Sequence, residues 1–161
     1  IRPARLGDAD AVHALLADII AEGNRLMSDQ PPDPAHFRRF VAANLAAGSP
    51  FHVAEIDGEL VGWADIVPRT EPSRRHVGRV GMGVAQPWRG RGVGRRLLEA
   101  IIADAGAGDV LRLELEVFTD NDAAIRLYRS MGFREEGRHI AVRWSGSSWQ
   151  HTLSMARLLP E

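Results

Sequence analysis

A glycine-rich segment near the middle of the chain places the strongest constraint on its fold. Residues 86–100 read QPWRGRGVGRRLLEA, in which three alternate glycines are followed at once by apolar residues at helical spacing. A strand-like run, HVGRVGMGVA, comes directly before it. A strand, a glycine loop and a helix therefore follow one another here. In such an arrangement the free N–H groups at the start of the helix can bind an anion.

Two known phosphate-binding patterns do not fit this segment. A dinucleotide-binding G-x-G-x-x-G would need its third glycine where Arg95 or Leu97 stands. A Walker loop ends in Gly-Lys-Ser/Thr, whereas all 20 basic residues of this chain are arginine. Two hypotheses remain. One is a pyrophosphate cradle, in which the glycines let a ligand approach the main chain, and the other is a structural turn on a basic surface.

The periodicity of the remaining sequence predicts an α/β fold. Strands are predicted at the N-terminus, in a hairpin over 51–67, and over 76–85, 110–119, 133–143 and 148–158. Four helices are predicted, the first two capped by Asp8 and Asp33 and the last two over 93–105 and 122–131. The order β-α-α-β-β-β-α-β-α-β-β indicates a mixed central sheet of about six or seven strands. Residues 1–161 are expected to form a single domain.

The composition excludes several classes of protein and site. The chain has no cysteine, which excludes disulfides, thiolate metal sites and cysteine nucleophiles, and no metal site is predicted. A net charge of −1 argues against nucleic-acid binding. No apolar run approaches the roughly 20 residues of a membrane helix, so no membrane partner is expected. We recognise no secretion signal, and the expected location is the cytoplasm.

Two motifs resemble those of the GNAT superfamily of acetyltransferases. VAQPWRGRGVGRRLL resembles its acetyl-CoA signature, Arg/Gln-x-x-Gly-x-Gly/Ala, through Arg89, Gly92 and Gly94. TDNDAAIRLYRSMGFREEG is similar to a second family segment, Asn-x-x-Ala-x-x-x-Tyr-x-x-x-Gly-Phe. The residues that fill the second segment are Asn121, Ala124, Tyr128, Gly132 and Phe133. The tail resembles a branch that acts on small amines, which carries Gly-Arg and Met-Ala where this chain has residues 137–138 and 155–156.

The resemblance implies transfer of an acetyl group from acetyl-CoA to a primary amine. It also implies that the fourth and fifth strands, over 80–85 and 110–119, splay apart and hold the pantetheine arm between them. The main chain of Val84 would then bond the pantetheine amides, and the glycine loop would hold the pyrophosphate. The implied cofactor-binding residues are Val84, Arg89, Gly90, Arg91, Gly92, Val93, Gly94, Arg95, Asn121, Ala124 and Tyr128.

Proton transfer is assigned to two side chains. Tyr128, the only tyrosine, is implied as the general acid that protonates the departing CoA thiolate, with a packing role as the alternative. An amine attacks only when it is neutral, so a base is expected. Glu116 lies five residues before Asn121, where some N-terminal acetyltransferases of the superfamily carry a catalytic glutamate, so the resemblance implies that Glu116 is the base, with a solvated charge at the sheet edge as the alternative. Glu114 on the same strand face, a water relay, and more weakly Asp65 and His76 are alternatives.

The acceptor itself is left open by the sequence. A small amine such as an amino acid or an analogue is predicted. A protein or peptide N-terminus and a non-catalytic acyl-CoA sensor are the alternatives. The segment EGNRLMSDQPP, residues 22–32, occupies the region that walls the acceptor site in relatives. Trp63, Trp144 and Trp149 are expected to fill the core rather than shape a pocket, and the fold allows a homodimer through the terminal strands.

Overall fold

The alternating and apolar runs of the sequence form seven strands of one sheet in the computed structural model, which describes residues 1–159. The strands are β1 (Arg2–Pro3), β2 (Phe51–Ile56), β3 (Glu59–Pro68), β4 (Val77–Val84), β5 (Arg112–Phe118), β6 (Arg134–Trp144) and β7 (Trp149–Leu158). Their order across the sheet is β1-β2-β3-β4-β5-β7-β6. Only β4 and β5 pair in parallel, so the predicted mixed sheet is confirmed.

Four helices cover the sheet, as predicted. They are α1 (Ala9–Ala21), α2 (Pro34–Ala46), α3 (Val93–Gly106) and α4 (Asp122–Ser130). Asp33 caps α2 by accepting a hydrogen bond of 2.9 Å from the backbone N–H of His36. Asp8 precedes α1, but its carboxylate accepts from the Arg5 N–H and pairs with Arg2 instead of capping that helix. None of the helices within residues 1–159 is long and apolar enough to cross a bilayer.

The β2–β3 hairpin, which the sequence predicted over 51–67, is closed by a two-residue turn. Asp57 and Gly58 adopt φ values of 52° and 82°, the left-handed backbone that a two-residue type I′ turn requires. The hairpin presents different side chains to the two helical layers. Phe51, Val53 and Trp63 pack with α1 and α2, while the opposite face of the sheet packs with α3. Trp63 therefore belongs to the core, as expected.

The sheet opens between β4 and β5. Val77 to Arg79 pair with Arg112 to Glu114, and the two strands no longer pair beyond Arg79. Residues 80–84 and 115–118 thus border a gap, which confirms the predicted splay. Leu113, Leu115 and Val117 alternate inward along β5, but Leu111 lies before the strand and is 52% exposed.

The last two strands end in an exposed aromatic pair. Trp144 and Trp149 face each other across the β6–β7 hairpin, with ring centroids 5.0 Å apart. Both side chains are more than half exposed. The expectation that they fill the core is wrong, because they lie at the hairpin end of the edge strand β6 and its neighbour β7.

Candidate active site

The gap between β4 and β5 exposes backbone groups that a continuous sheet would have paired. The N–H of Ala85 donates to the Val61 carbonyl at 2.8 Å, on the β3 side of β4. Because peptide groups alternate in direction along a strand, those of Val84 and Met82 point the other way, into the gap. The Val84 carbonyl accepts there from Arg89 Nε at 2.8 Å. Within residues 1–159 no strand pairs with the N–H groups on this edge, so they can bind an extended ligand.

The glycine segment forms a loop at the start of α3 whose geometry suits an anion, and it is called the anion-binding loop below. Gly90 and Gly92 have φ values of 72° and 81°, in the left-handed region. Left-handed residues that alternate with right-handed ones turn successive backbone N–H groups toward a common point. The first bond of the helix runs from the Arg96 N–H to the Gly92 carbonyl at 3.1 Å. The N–H groups of residues 93–95 precede that bond and lie at the positive end of the helix dipole. The local geometry is that of a phosphate cradle.

A pocket of about 340 Å³ joins the gap to the glycine loop. Most of the predicted cofactor-binding residues line it: Val84, Arg89, Gly90, Gly92, Gly94, Arg95, Asn121, Ala124 and Tyr128. Arg91, Val93 and Glu116 are not part of the lining. Residues that the motifs did not identify complete it: Ile19, Arg25, Leu26, Met82, Gly83, Ala123 and Leu127. Arg25 and Leu26 belong to the segment 22–32, for which the sequence predicted a place beside the site.

The arginines around the glycine loop contact protein groups. Arg89 makes two hydrogen bonds to the Glu22 carboxylate, of 2.7 and 2.6 Å. It thereby ties the end of α1 to the loop after β4. Arg95 donates to Ser130 Oγ at 2.8 Å and so joins α3 to α4. The Arg91 guanidinium lies 5.1 Å from the centre of the Trp88 ring, a cation–π distance.

Tyr128 lies in the wall of the pocket on α4. Its ring packs edge-on against Phe133, with the centroids 5.8 Å apart. Its hydroxyl has no hydrogen-bond partner within the described part of the chain, residues 1–159. Burial raises the pKa of Tyr128 to about 12, so the hydroxyl stays protonated at neutral pH. The side chain can therefore donate a proton or a hydrogen bond to a ligand.

The acidic side chains of β5 lie on the face of the sheet toward α1 and α2. Glu116 alternates with Leu115 and Val117, which pack on the other face with α3. Its carboxylate accepts a hydrogen bond from the Thr152 hydroxyl of β7. Glu114 forms an ion pair with Arg69. Glu116 thus stands beyond the point where β4 and β5 separate, outside the pocket lining.

Asp65 is a buried carboxyl on that same face. A Cβ on Gly81 of β4 would lie 2.7 Å from Asp65 Oδ1, so the carboxyl fills the space above this glycine. Burial raises the pKa of Asp65 to about 7, against the opposing effects of the Trp63 side chain and the charge of Arg79. His76, the other minor candidate, is exposed in the loop before β4.

Replacement of Asp65 tests this burial through the pH dependence of stability. A carboxyl with a raised pKa keeps its proton in the fold more tightly than in the unfolded chain. Wild type should therefore lose about 2–4 kcal/mol of unfolding free energy relative to Asp65→Asn as the pH rises from 4 to 8. Urea unfolding of both proteins at the two pH values measures this, with the exposed Asp109→Asn as a control. An equal difference at both pH values would contradict the assignment.

Comparison with known proteins agrees with this geometry. The pattern of the acetyltransferase (GNAT) family matches residues 16–133. The chain is 42% identical over 131 residues to the N-alpha-acetyltransferase RimI of Mycobacterium tuberculosis, covering 78% of this chain and 77% of that one. It is 34% identical over 159 residues to the L-amino acid N-acetyltransferase AaaT of Escherichia coli, covering 98% and 96%.

A solved structure has the same fold over nearly the whole chain. YncA of Salmonella typhimurium, a putative acetyltransferase solved with its cofactor acetyl-CoA, superposes with a TM-score of 0.92. The match covers 99% of this chain and 93% of that one at 24% sequence identity. The family match, the relatives and the split sheet agree with the two motifs first seen in the sequence. The chain belongs to the GNAT family of acetyltransferases.

Proposed function

We propose that this acetyl-CoA-dependent N-acetyltransferase acetylates the primary amine of a small molecule, an amino acid or an analogue of one. The observation that carries the proposal is the pocket, which joins the open edge of β4 to the anion-binding loop of α3. The E. coli relative, whose name gives L-amino acids as its acceptors, matches over nearly the full length of both chains.

The donor would lie along the open edge of β4. The N–H groups of Val84 and Met82 would bond the pantetheine amides, as an added strand would, and Asn121 and Ala124 would flank the arm from α4. The amides of residues 90–95 would hold the pyrophosphate. Placed this way, a backbone N–H of β4 near the thioester carbonyl would stabilise the oxyanion that forms when the amine attacks.

Two side chains would move the protons. The amine nitrogen bonds to the carbonyl carbon, the C–S bond breaks, and the CoA sulfur takes a proton from the Tyr128 hydroxyl. The proton of the attacking amine passes to Glu116, directly or through water. Glu116 is supported by its place on the acceptor side of β5, just past the point where the strands separate.

A peptide N-terminus is the second candidate acceptor. Its support is the 42% identity to the RimI N-alpha-acetyltransferase, although that match covers less of the chain than the amino-acid enzyme does. A non-catalytic sensor would explain neither an unpartnered tyrosine hydroxyl nor an acidic strand beside the gap.

The release of CoA thiol from acetyl-CoA tests the function. We expect release with free L-amino acids, and a kcat/KM at least about tenfold higher than for a peptide with the same N-terminal residue. Polyamines and aminoglycosides complete the acceptor panel. Release with peptides alone would show that the acceptor is a peptide N-terminus. Acetyl-CoA binding without release on any amine would indicate a sensor.

Substitution of the two proton carriers tests their roles. Tyr128→Phe and Glu116→Gln should each lower kcat on the order of 100-fold and leave the Kd of acetyl-CoA unchanged, because each removes a proton transfer needed only in the transition state. Glu59→Gln, at an exposed residue of the β2–β3 hairpin, is the control. A matching loss of acetyl-CoA affinity in Tyr128→Phe would make it a packing residue. Full activity of Glu116→Gln would remove it as the base.

We infer that the protein forms a homodimer through β6. This strand is an edge of the sheet and leaves exposed its apolar residues Ile140 (65%), Val142 (40%) and Trp144 (53%). β6 is bulged over residues 140–142, where Ala141 has a φ of 55°, so the exposed side chains rather than regular strand pairing would form the contact with a second copy about a two-fold axis.

Light scattering after size exclusion tests the dimer. Wild type should have twice the 17.7 kDa mass of the chain, and Ile140→Asp should shift it to the monomer. Leu111→Asp, which changes an equally apolar residue that is 52% exposed before β5, should stay dimeric. A monomeric wild type at micromolar concentration would disprove the inference.

A further inference from the structure

Arg25 is a cation of the pocket wall that neither sequence motif includes. It lies just after α1, and its side chain is 35% exposed. The charged residues in the lining, within residues 1–159, are three arginines: Arg25, Arg89 and Arg95. The pocket wall thus carries positive charge and no carboxylate.

The other two arginines of the wall are already engaged. Arg89 binds both carboxylate oxygens of Glu22 and the Val84 carbonyl. Arg95 binds Ser130. Glu22 forms an ion pair with Arg25 at 3.5 Å, but this one carboxylate is shared, because both of its oxygens accept hydrogen bonds from Arg89.

Arg25 is left incompletely paired by this arrangement. One Nη donates to Asn121 Oδ1 at 3.1 Å, and this is its only hydrogen bond to the described residues 1–159. Its Nε lies 3.5 Å from the nearer Glu22 oxygen, is buried, and has no hydrogen-bond partner there. Burial keeps Nε itself from a ligand, but the Nη donors that do not bind Asn121 belong to a side chain that is 35% exposed in the pocket wall, so they are available to an anionic ligand. A planar guanidinium with free donors suits a carboxylate.

The position of Arg25 favours the carboxylate of an acceptor over the pyrophosphate of the donor. Arg25 reaches the gap from the α1 side and binds Asn121 at the start of α4, which follows β5. The anion-binding loop instead follows β4 on the other side of the gap. Ile19 and Leu26 line the pocket beside Arg25 and offer apolar contact to an amino-acid side chain.

We propose that Arg25 binds the carboxylate of an α-amino-acid acceptor and so selects free amino acids over peptides and amides. The inference rests on the proposed function and names the group by which its acceptor is recognised. A peptide N-terminus carries an amide where a free amino acid carries the carboxylate, so a peptide cannot form the charged contact with Arg25. Arg25 is then a specificity-determining residue, and the amine it helps to position is the nucleophile.

The test compares a matched acceptor pair, L-methionine and L-methioninamide, in wild type, Arg25→Gln and Arg25→Lys. Arg25→Gln should raise the KM for methionine by about 10- to 100-fold, the worth of a charge-assisted hydrogen bond, and leave the KM for the amide unchanged. Arg25→Lys should recover part of the preference, since it restores the charge without the planar fork. Arg38→Gln, on the outer surface of α2, is the control.

Three results would overturn the proposal. An equal rise in KM for acid and amide would make Arg25 a structural residue. A higher Kd for acetyl-CoA in Arg25→Gln, with the preference for the acid unchanged, would show that Arg25 binds a phosphate of CoA instead of the acceptor. If no acceptor is acetylated, the proposed function fails. Calorimetry of methionine binding to the CoA-loaded protein still tests whether Arg25 binds the carboxylate. Equal affinities of wild type and Arg25→Gln would then refute the contact.

Discussion

The end of strand pairing between β4 and β5 is the constraint on which the rest of the site depends. Beyond Arg79 and Glu114 the two strands part, and the β4 edge is left with backbone groups that no other strand satisfies. Within a sheet such groups would be costly to bury, and a ligand with amides of its own would complete the pairing. The strand-like pantetheine arm of acetyl-CoA would suit this edge.

The segment between α1 and α2 depends on arginines from distant parts of the chain. Arg89 binds Glu22 at its start. Arg143 of β6 binds the carbonyls of Gly23 and Leu26 and the carboxylate of Asp29, and stacks on Phe118 at 4.4 Å. These contacts fix a segment with no regular structure beside the pocket. An apolar contact could not hold this loop as specifically, because each guanidinium binds several oxygens in one plane.

Two glycines of β4 shape the face of the sheet that lies toward α1 and α2. Gly81 and Gly83 have no side chains, and Asp65 and Trp63 of β3 occupy the space above them. The indole ring therefore packs directly on a backbone that borders the pocket, and the buried carboxyl beside it has a raised pKa. Larger residues at these two positions would displace both side chains, which explains the glycine-rich composition of a central strand.

Short-range patterns in the sequence determined the order of the elements, the hairpin turn, the cap of α2 and the glycine loop. Each of these depends on residues within a few positions of one another. The tertiary structure alone decided which predicted residues share the pocket. Arg25 and Asn121 are 96 positions apart and yet form a hydrogen bond. It also decided that Glu116 stands outside the lining, that Asp65 is buried and that Trp144 and Trp149 are exposed. Burial and pairing are set by contacts between distant segments, which local periodicity does not encode.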